Sequence, residues 1–348
     1  MLIFVAGAIL SFMIFFPLVV ATSVFKVLDE KQSSRFLRIF FPKYYLFGFI
    51  LSSSGIVLSI FEKSNISLLV FSFIMLGFLF SRQILMPMIN KAKDENNHNK
   101  FDKLHKFSVF INFVQIIAAV FFDARIASIV IALIAFGMAY EFGKMVTMPM
   151  LAKLTLCLCI ILQVLPIWVV DLGLWWHTGL AFLAFGITLT YHQLLESVFA
   201  LVLALCLYFT VLLLSEPSGH WQLLILAAVI AACDCAAYFV GRFVGGAKLA
   251  PAISPNKTIS GSVGGIIAAM AVMVGVTPFF EFGLVMALLL GFWLAVLSQI
   301  GDLLESALKR RVDVKDSGSI LPGHGGLLDR FDGYLLTVPG FYIFLFVI

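Results

Sequence analysis

Acidic and basic side chains are interleaved in one short stretch of an otherwise apolar chain, residues 301–332. Its charged residues are the acids Asp302, Glu305, Asp313, Asp316, Asp329 and Asp332 and the bases Lys309, Arg310, Arg311, Lys315 and Arg330. Carboxylate oxygens are the ligands of hard divalent cations, and lysine and arginine neutralise phosphoryl oxygens. Glycines in the turn at residues 322–326 allow backbone N–H groups to approach a ligand closely. The stretch predicts a site for a divalent metal and phosphate groups, with a solvated juxtamembrane loop as the alternative.

The same stretch resembles the carboxy-terminal signature of phosphatidate cytidylyltransferases, which are also called CDP-diacylglycerol synthases. Residues 306–332 fill every fixed position of that signature. The charged and glycine positions are Lys309-Arg310, Lys315-Asp316, His324-Gly325-Gly326, Asp329-Arg330 and Asp332.

A second polar stretch, residues 234–265, precedes the signature. Asp234 lies inside an apolar run, where an ionised carboxylate is costly and usually functional, although pairing with a base on a neighbouring helix is the alternative. Asp234, Tyr238 and Arg242 resemble the family's Asp-x-x-Ala-Tyr-x-x-Gly-Arg element. Residues 254–258 resemble its Ser-Pro-x-Lys-Thr loop, in which the lysine and the hydroxyls hold nucleotide phosphates. One position departs from the family pattern, because Ser260 stands where a glutamate is usual.

The resemblance implies that the phosphate of phosphatidate attacks the α-phosphorus of CTP, giving CDP-diacylglycerol and pyrophosphate. Two anions must meet, so positioning and charge neutralisation by Mg²⁺ and basic side chains are the expected means of catalysis. The implied partners are CTP, phosphatidate and the lipid bilayer; nucleic acid is not expected, and a homodimer is possible.

The resemblance also assigns roles to individual residues. It places Asp302 and Asp329 as the main metal ligands, with Asp234 and Asp332 as further candidates. The predicted catalytic residues are Asp302, Asp329, Lys309, Arg310, Lys315, Asp316 and His324. The predicted substrate-binding residues are Ser254, Lys257, Thr258, Tyr238, Arg242, Gly325, Gly326 and Arg330.

The composition of the chain predicts a membrane protein. Of its 348 residues, 62% are hydrophobic and 12% are charged, whereas soluble domains carry about 25% charged residues. The net charge of +4 is small and does not indicate nucleic-acid binding. The five cysteines lack the spacing of a zinc site and are interpreted as buried thiols.

Runs of about 20 apolar residues are long enough to cross a bilayer as helices. About twelve candidates occur, near residues 2–25, 44–61, 66–86, 107–122, 124–140, 150–168, 173–190, 196–214, 221–240, 263–279, 282–300 and 334–348. Lipid-exposed backbone must satisfy its own hydrogen bonds, so the predicted fold is all-α and polytopic. The first run is interpreted as a retained membrane helix. Lysine and arginine are concentrated in every second connecting loop, and the loops between them are nearly free of bases. Because cytoplasmic loops carry the excess of lysine and arginine, this pattern predicts a cytoplasmic position for both polar stretches. In a bacterium the membrane would be the inner membrane.

The chain divides into two predicted domains, residues 1–122 and 123–348. Features of the first, at residues 41–44 and 104–106, resemble a small uncharacterised family of four-helix membrane proteins with no known chemistry. The second carries the cytidylyltransferase resemblance. Residues 139–142 lie where that family often has an acidic-aromatic pair that closes an early helix, although the front of the domain is shorter than expected.

Two other classes of function stay open. A related enzyme acting on another lipid phosphate, such as an isoprenoid ether lipid or a polyprenol, would share the same headgroup chemistry. A non-enzymatic membrane protein, either a transporter or an inactive homologue serving as a partner, is the second class. Ser260 and the shortened front favour inactivity, whereas the grouping of the acids beside a glycine turn opposes transport.

Overall fold

The structure of the chain is a computed structural model. It describes residues 1–95, 97–120, 123–165, 173–279, 283–318 and 325–346. The chain forms two compact units, Met1–Ala127 and Ser128–Ile348. Both are built from helices, and eight described helices are long and apolar enough to cross a membrane. The chain is therefore a polytopic, predominantly helical membrane protein. The predicted number of twelve spans is not confirmed, since the helices that the structure describes within the other four apolar runs are not among these eight.

Two short π-helices, Phe16–Ala21 and Ser81–Leu85, make Leu2–Val27 and Asn65–Asp94 each one long helix of the first unit. The described part of this unit contains six α-helices. They are α1 (Leu2–Phe15), α2 (Thr22–Val27), α3 (Glu30–Phe61), α4 (Asn65–Phe80), α5 (Met86–Asp94) and α6 (His98–Val120). Side chains that precede two of them cap the free N–H groups of the first turn. The Asp29 carboxylate accepts from the backbone N–H of Gln32, and the Ser64 hydroxyl accepts from that of Ser67.

Close contact between glycine and phenylalanine holds α3 against α4. The Phe71 and Phe78 side chains of α4 are fully buried. The Phe78 ring lies over Gly48, where an added Cβ would come within 2.6 Å of the ring, and Phe71 lies over Gly55 in the same way. Lipid tails are as apolar as these side chains, so shape-matched packing, more than the hydrophobic effect, joins the helices.

The second unit contains nine α-helices, one short 3₁₀ helix (Thr277–Phe279) and one hairpin in its described part. The helices are α7 (Ala124–Met145, which begins just before the unit boundary), α8 (Met150–Leu162), α9 (Gly173–Tyr191), α10 (Leu194–Ser215), α11 (Gly219–Val244), α12 (Ile259–Gly275), α13 (Leu284–Arg311), α14 (Leu328–Phe331) and α15 (Tyr334–Phe346). The antiparallel hairpin joins β1 (Lys248–Ala250) to β2 (Ser254–Thr258), with Lys248 opposite Thr258 and Ala250 opposite Ser254.

The hairpin was not predicted. Residues 254–258 were expected to form a loop in an all-α fold, and the structure places them in a strand. Helix α11 ends at Val244 and is followed by Gly245 and Gly246, whose φ angles of +66° and +101° are accessible mainly to glycine, and the chain turns there into β1. Two short strands at a helix end have no apolar alternation long enough to be recognised in the sequence.

The core of the second unit lies among α7, α8, α9 and α10. The Phe142 and Phe199 rings stack with their centroids 5.3 Å apart, and both are fully buried. Leu308 of α13, Leu328 of α14 and Leu335 of α15 belong to the same cluster of buried side chains. The helices that carry the signature are therefore packed directly on this core.

Small residues allow α12 to lie close against α11. An added Cβ at Gly261 would come within 2.6 Å of the Ala237 carbonyl oxygen, and one at Gly265 within 2.9 Å of the Cys233 carbonyl oxygen. On the other side of α12, Gln299 of α13 donates to the Ser262 carbonyl over 3.1 Å. This packing positions the hairpin, which joins α11 to α12, beside α13.

Replacement of Gly261 by alanine tests this packing. We expect Gly261→Ala to lower the free energy of unfolding by about 1–3 kcal/mol, because the added methyl group forces α11 and α12 apart. Thermal unfolding of the detergent-solubilised chain measures the change. Gly275→Ala in the same helix is the control, since no described atom lies within 4 Å of its added Cβ. Equal stability of the two variants would contradict the close packing.

Candidate functional site

The polar end of α11 carries three predicted site residues at intervals of one helical turn. Asp234, Tyr238 and Arg242 are all exposed. The Arg242 guanidinium donates a hydrogen bond of 2.8 Å to the Tyr238 hydroxyl. Residues four apart share a helix face, so these side chains line one side of α11.

The hairpin brings Lys257 onto α13. Its ammonium group forms an ion pair with the Asp302 carboxylate, whose other oxygen lies 3.3 Å from the Ser306 hydroxyl. The two side chains of the pair are 27% and 32% exposed. Because neither group is sealed from solvent, a substrate or cation can exchange with either partner.

The two hydroxyls predicted beside Lys257 have different positions. Ser254 begins β2 opposite Ala250. The Thr258 hydroxyl is the N-cap of α12 and accepts from the Gly261 N–H over 3.1 Å. Ser260, at the position where the resemblance predicts glutamate, donates to the Gly245 carbonyl. Thr258 and Ser260 therefore stabilise the junction between the hairpin and α12.

Three carboxylates lie close enough to influence one another. Asp332 follows α14, and its backbone packs on α13, where a Cβ at Gly301 would come within 2.6 Å of the Asp332 carbonyl oxygen. Burial, together with the charges of Asp302 and Asp234, raises the pKa of Asp332 to about 7, while Lys257 lowers it. Lys257 forms an ion pair with one of these three acids, Asp302, and the combined negative charge of the three favours an additional cation.

Asp329, the other predicted main metal ligand, has a different environment. Its carboxylate accepts from the Lys309 ammonium over 2.8 Å, from the Gly326 N–H over 2.8 Å and from the Ser317 N–H over 3.0 Å. Burial raises the pKa of Asp329, but the hydrogen bonds from Lys309 and Gly326 outweigh it and lower that pKa to about 2. The side chain thus joins the described residues 317–318 to the described residues 325–328, which together are called the signature turn, and binds them to α13.

Lys309 lies between two carboxylates. Its ammonium nitrogen is 2.6 Å from a Glu305 oxygen and 2.8 Å from Asp329. Glu305 is fully buried, and Lys309 is 13% exposed. Glu305 lies inside the charged stretch, but the sequence analysis assigned it no role; its spacing of four residues from Lys309 was the available signal.

The signature turn requires glycine at its described end. Gly325 has a φ angle of +83°, and an added Cβ there would lie 2.8 Å from an Asp329 oxygen. Gly326 is buried and donates to the same carboxylate. Predicted site residue His324 lies outside the described residues.

The remaining predicted residues lie at the surface of the site. Arg310 donates from Nε to the Ile253 carbonyl over 3.2 Å and so connects the end of α13 to the hairpin. Lys315, Asp316 and Arg330 are exposed.

Glu141 of α7 is a site residue that the sequence analysis did not identify, although it noted the acidic-aromatic pair. Only 2% of Glu141 is exposed. One carboxylate oxygen accepts from the Leu328 N–H over 3.1 Å, directly beside Asp329. An acid within an apolar helix was the signal, as it was for Asp234.

The structure thus separates the predicted metal ligands into two groups. Asp234, Asp302 and Asp332 share one electrostatic environment with Lys257, whereas Asp329 is engaged by Lys309 and backbone N–H groups. No three metal-binding side chains among the described residues converge into a ready-made metal site. This is compatible with Mg²⁺, which commonly takes one or two carboxylates together with water and substrate phosphates.

Replacement of Asp329 tests its part in closing the turn. Asp329→Asn removes the negative charge of the carboxylate to which Lys309 and two backbone N–H groups donate. We expect the free energy of unfolding to fall by about 2–3 kcal/mol. Thermal unfolding in detergent measures it. The matched control is Asp313→Asn, because Asp313 is exposed and its φ angle of +54° suits asparagine. A loss no larger than that of the control would contradict the assignment.

Comparison with known proteins identifies the two parts of the chain separately. The cytidylyltransferase family matches residues 103–348, and a domain of unknown function, DUF4149, matches residues 4–98. The resemblance to a cytidylyltransferase is therefore confirmed.

Individual relatives are named phosphatidate cytidylyltransferase. The protein from Bacillus subtilis (strain 168) is 40% identical over 180 residues, which are 48% of this chain and 67% of the relative. That from Brucella suis biovar 1 is 47% identical over 140 residues, 37% of this chain and 48% of the relative. The protein from Staphylococcus saprophyticus is 44% identical over 127 residues, which are 36% of this chain and 49% of the relative. The chain spans about half the length of the latter two relatives.

The family match covers most of the chain and includes both polar stretches and the helices that position them. The chain belongs to the cytidylyltransferase family.

Proposed function

We propose that the second unit transfers CMP from CTP to phosphatidate, giving CDP-diacylglycerol and pyrophosphate for phospholipid synthesis. A phosphate oxygen of phosphatidate forms a bond to the α-phosphorus of CTP, and the bond from that phosphorus to the β-phosphate oxygen breaks. The single observation that carries the proposal is the accessible Lys257–Asp302 pair beside Asp332. It combines a base suited to phosphate with carboxylates suited to a cation.

Charge neutralisation is the main task of the site, because both substrates are anions. The Lys257 ammonium is held by Asp302 and is part-exposed, so it is available to triphosphate oxygens once Asp302 is otherwise neutralised. Arg310 and Arg242 lie at the surface of the same region, on α13 and α11. A phosphate monoester is mostly ionised at neutral pH, so the chain need not supply a strong general base.

Mg²⁺ is the proposed cofactor. Asp302 would hold it, with Asp234 and Asp332 as the neighbouring carboxylates, and it would neutralise the charge that develops on the phosphates. Asp329 could join only by exchanging the donors that it now accepts from, because Lys309, Ser317 and Gly326 occupy its oxygens. We therefore favour Asp302 over Asp329 as the main ligand.

The proposed location follows from the polar ends of apolar helices. Helices α11 and α13 each combine an apolar stretch of membrane-crossing length with a polar end that carries site residues. A water-soluble nucleotide and a lipid headgroup can meet at such a boundary while the acyl chains stay in the bilayer. The distribution of lysine and arginine favours the cytoplasmic face, where CTP is available.

Product formation is the direct test. The purified chain is incubated in detergent with phosphatidate, labelled CTP and Mg²⁺. We expect labelled CDP-lipid from the wild type and a fall in kcat of about 10²–10³-fold in Asp302→Asn, because a group that stabilises transition-state charge is lost. Asp313→Asn is the matched control.

Other outcomes identify the alternatives. A folded wild type that binds CTP but gives no product with phosphatidate would favour another lipid phosphate as substrate. Absence of both CTP binding and product would contradict the enzyme and favour a partner protein. The observation that favours this second candidate is Ser260, whose hydroxyl contacts a backbone carbonyl where the family usually has a carboxylate.

Lys257 is expected to act in nucleotide binding. We expect Lys257→Gln to raise the KM for CTP by about 10–100-fold, since a charge-assisted hydrogen bond contributes about 1.5–3 kcal/mol. Lys248→Gln, at an exposed position on the other strand of the same hairpin, is the control. Steady-state rates at varied CTP measure both variants, and an equal KM in the two would contradict the role of Lys257.

A further inference from the structure

We propose that Glu141 is a positioning residue, which holds the signature turn so that Asp329 and Asp332 keep their places over α13. The proposal rests on the proposed function only for its kinetic consequence. Its structural basis is a set of contacts between α7 and both described sides of the turn.

The burial of Glu141 requires compensation. The residue lies on α7 between apolar neighbours and is 2% exposed. An acid in such surroundings is costly unless hydrogen bonds satisfy it. One oxygen accepts from the Leu328 N–H over 3.1 Å and lies 3.5 Å from the Ser317 hydroxyl. Both described partners belong to the signature turn.

Two carboxylates therefore hold the same pair of chain segments. Asp329 accepts from the N–H groups of Ser317 and Gly326, and Glu141 contacts the Ser317 hydroxyl and the Leu328 N–H. Asp329 acts from α14, directly after the turn, and is bound to Lys309 of α13. Glu141 acts from α7, and so it fixes the turn relative to a helix outside the signature.

The turn is shaped to admit this carboxylate. An added Cβ at Gly326 would come within 2.5 Å of a Glu141 oxygen, and one at Gly318 would overlap the carboxyl group. Glycine at these two positions lets the backbone approach Glu141 closely. The contact is therefore a property of both segments and not an incidental approach of one side chain.

Loss of the contact should act through the residues next to it. Leu328 immediately precedes Asp329, and Asp332 lies one helical turn further on. A shift of this turn changes the position of Asp332 relative to Asp302. Misplacement of a reacting group by about 1 Å can lower a rate by about 100-fold.

The test compares two replacements of Glu141 in the full chain. Glu141→Gln keeps an oxygen that accepts from Leu328, whereas Glu141→Ala removes the acceptor. We expect kcat to fall by about 100-fold in Glu141→Ala and to be largely rescued in Glu141→Gln. The KM for CTP should change little, because no described contact joins Glu141 to Lys257.

A control separates positioning from general stability. Gln163→Ala also removes a buried polar side chain of the second unit, one that donates to the Ala204 carbonyl over 3.0 Å and has no described contact with the signature turn. We expect it to lower the Tm while kcat per folded molecule is kept. An equal loss of kcat in Gln163→Ala and Glu141→Ala would overturn the proposal, as would a normal kcat in Glu141→Ala.

A measurement without substrate makes the proposal independent of the enzyme assignment. Hydrogen–deuterium exchange of peptides covering residues 317–329 should be faster in Glu141→Ala than in the wild type or in Gln163→Ala. Exchange unchanged by Glu141→Ala would overturn the positioning role. An inactive wild type would instead contradict the proposed function, while the exchange experiment would still decide whether Glu141 holds the turn.

Discussion

Compensation of carboxylates by lysines and backbone N–H groups is the constraint on which the polar part of this protein depends. Lys309 contacts both Glu305 and Asp329, and these three side chains are nearly or completely buried. An isolated charge at such depth would be neutralised or would destabilise the fold, because desolvation is not repaid. These charges are therefore stable in the interior only when α13, the signature turn and α14 are folded together.

The second lysine, Lys257, serves the site in a different way. Its pair with Asp302 is part-exposed and faces two further acids, so the charges there are balanced incompletely. A balanced, buried group such as that around Lys309 is suited to holding structure. In an accessible group with incompletely balanced charge, a carboxylate can exchange its lysine partner for a cation, and the lysine can then bind a phosphate. The difference in burial thus distinguishes the Lys309 group from the Lys257 group, which is the one that we propose to bind substrate.

Close helix packing connects these charges to the membrane part of the chain. Gly261 and Gly265 of α12 lie against carbonyl oxygens of α11, and Gly301 of α13 lies against the backbone of Asp332. Each contact depends on the absence of a side chain, so small residues determine how near the acids of separate helices approach one another. Glu141 extends the same arrangement to α7 through the backbone of the signature turn.

The sequence by itself determined the helical membrane character, the two polar stretches and the family. Apolar runs and charge patterns are local properties, and a signature with fixed charged positions is read directly from residue order. Only the tertiary structure decided which charges meet. It grouped Asp302 with Asp332, paired Asp329 with Lys309, formed a hairpin around Lys257 and brought Glu141 to the turn. These pairings depend on how closely helices distant in sequence can pack, and spacing along the chain carries no measure of that distance.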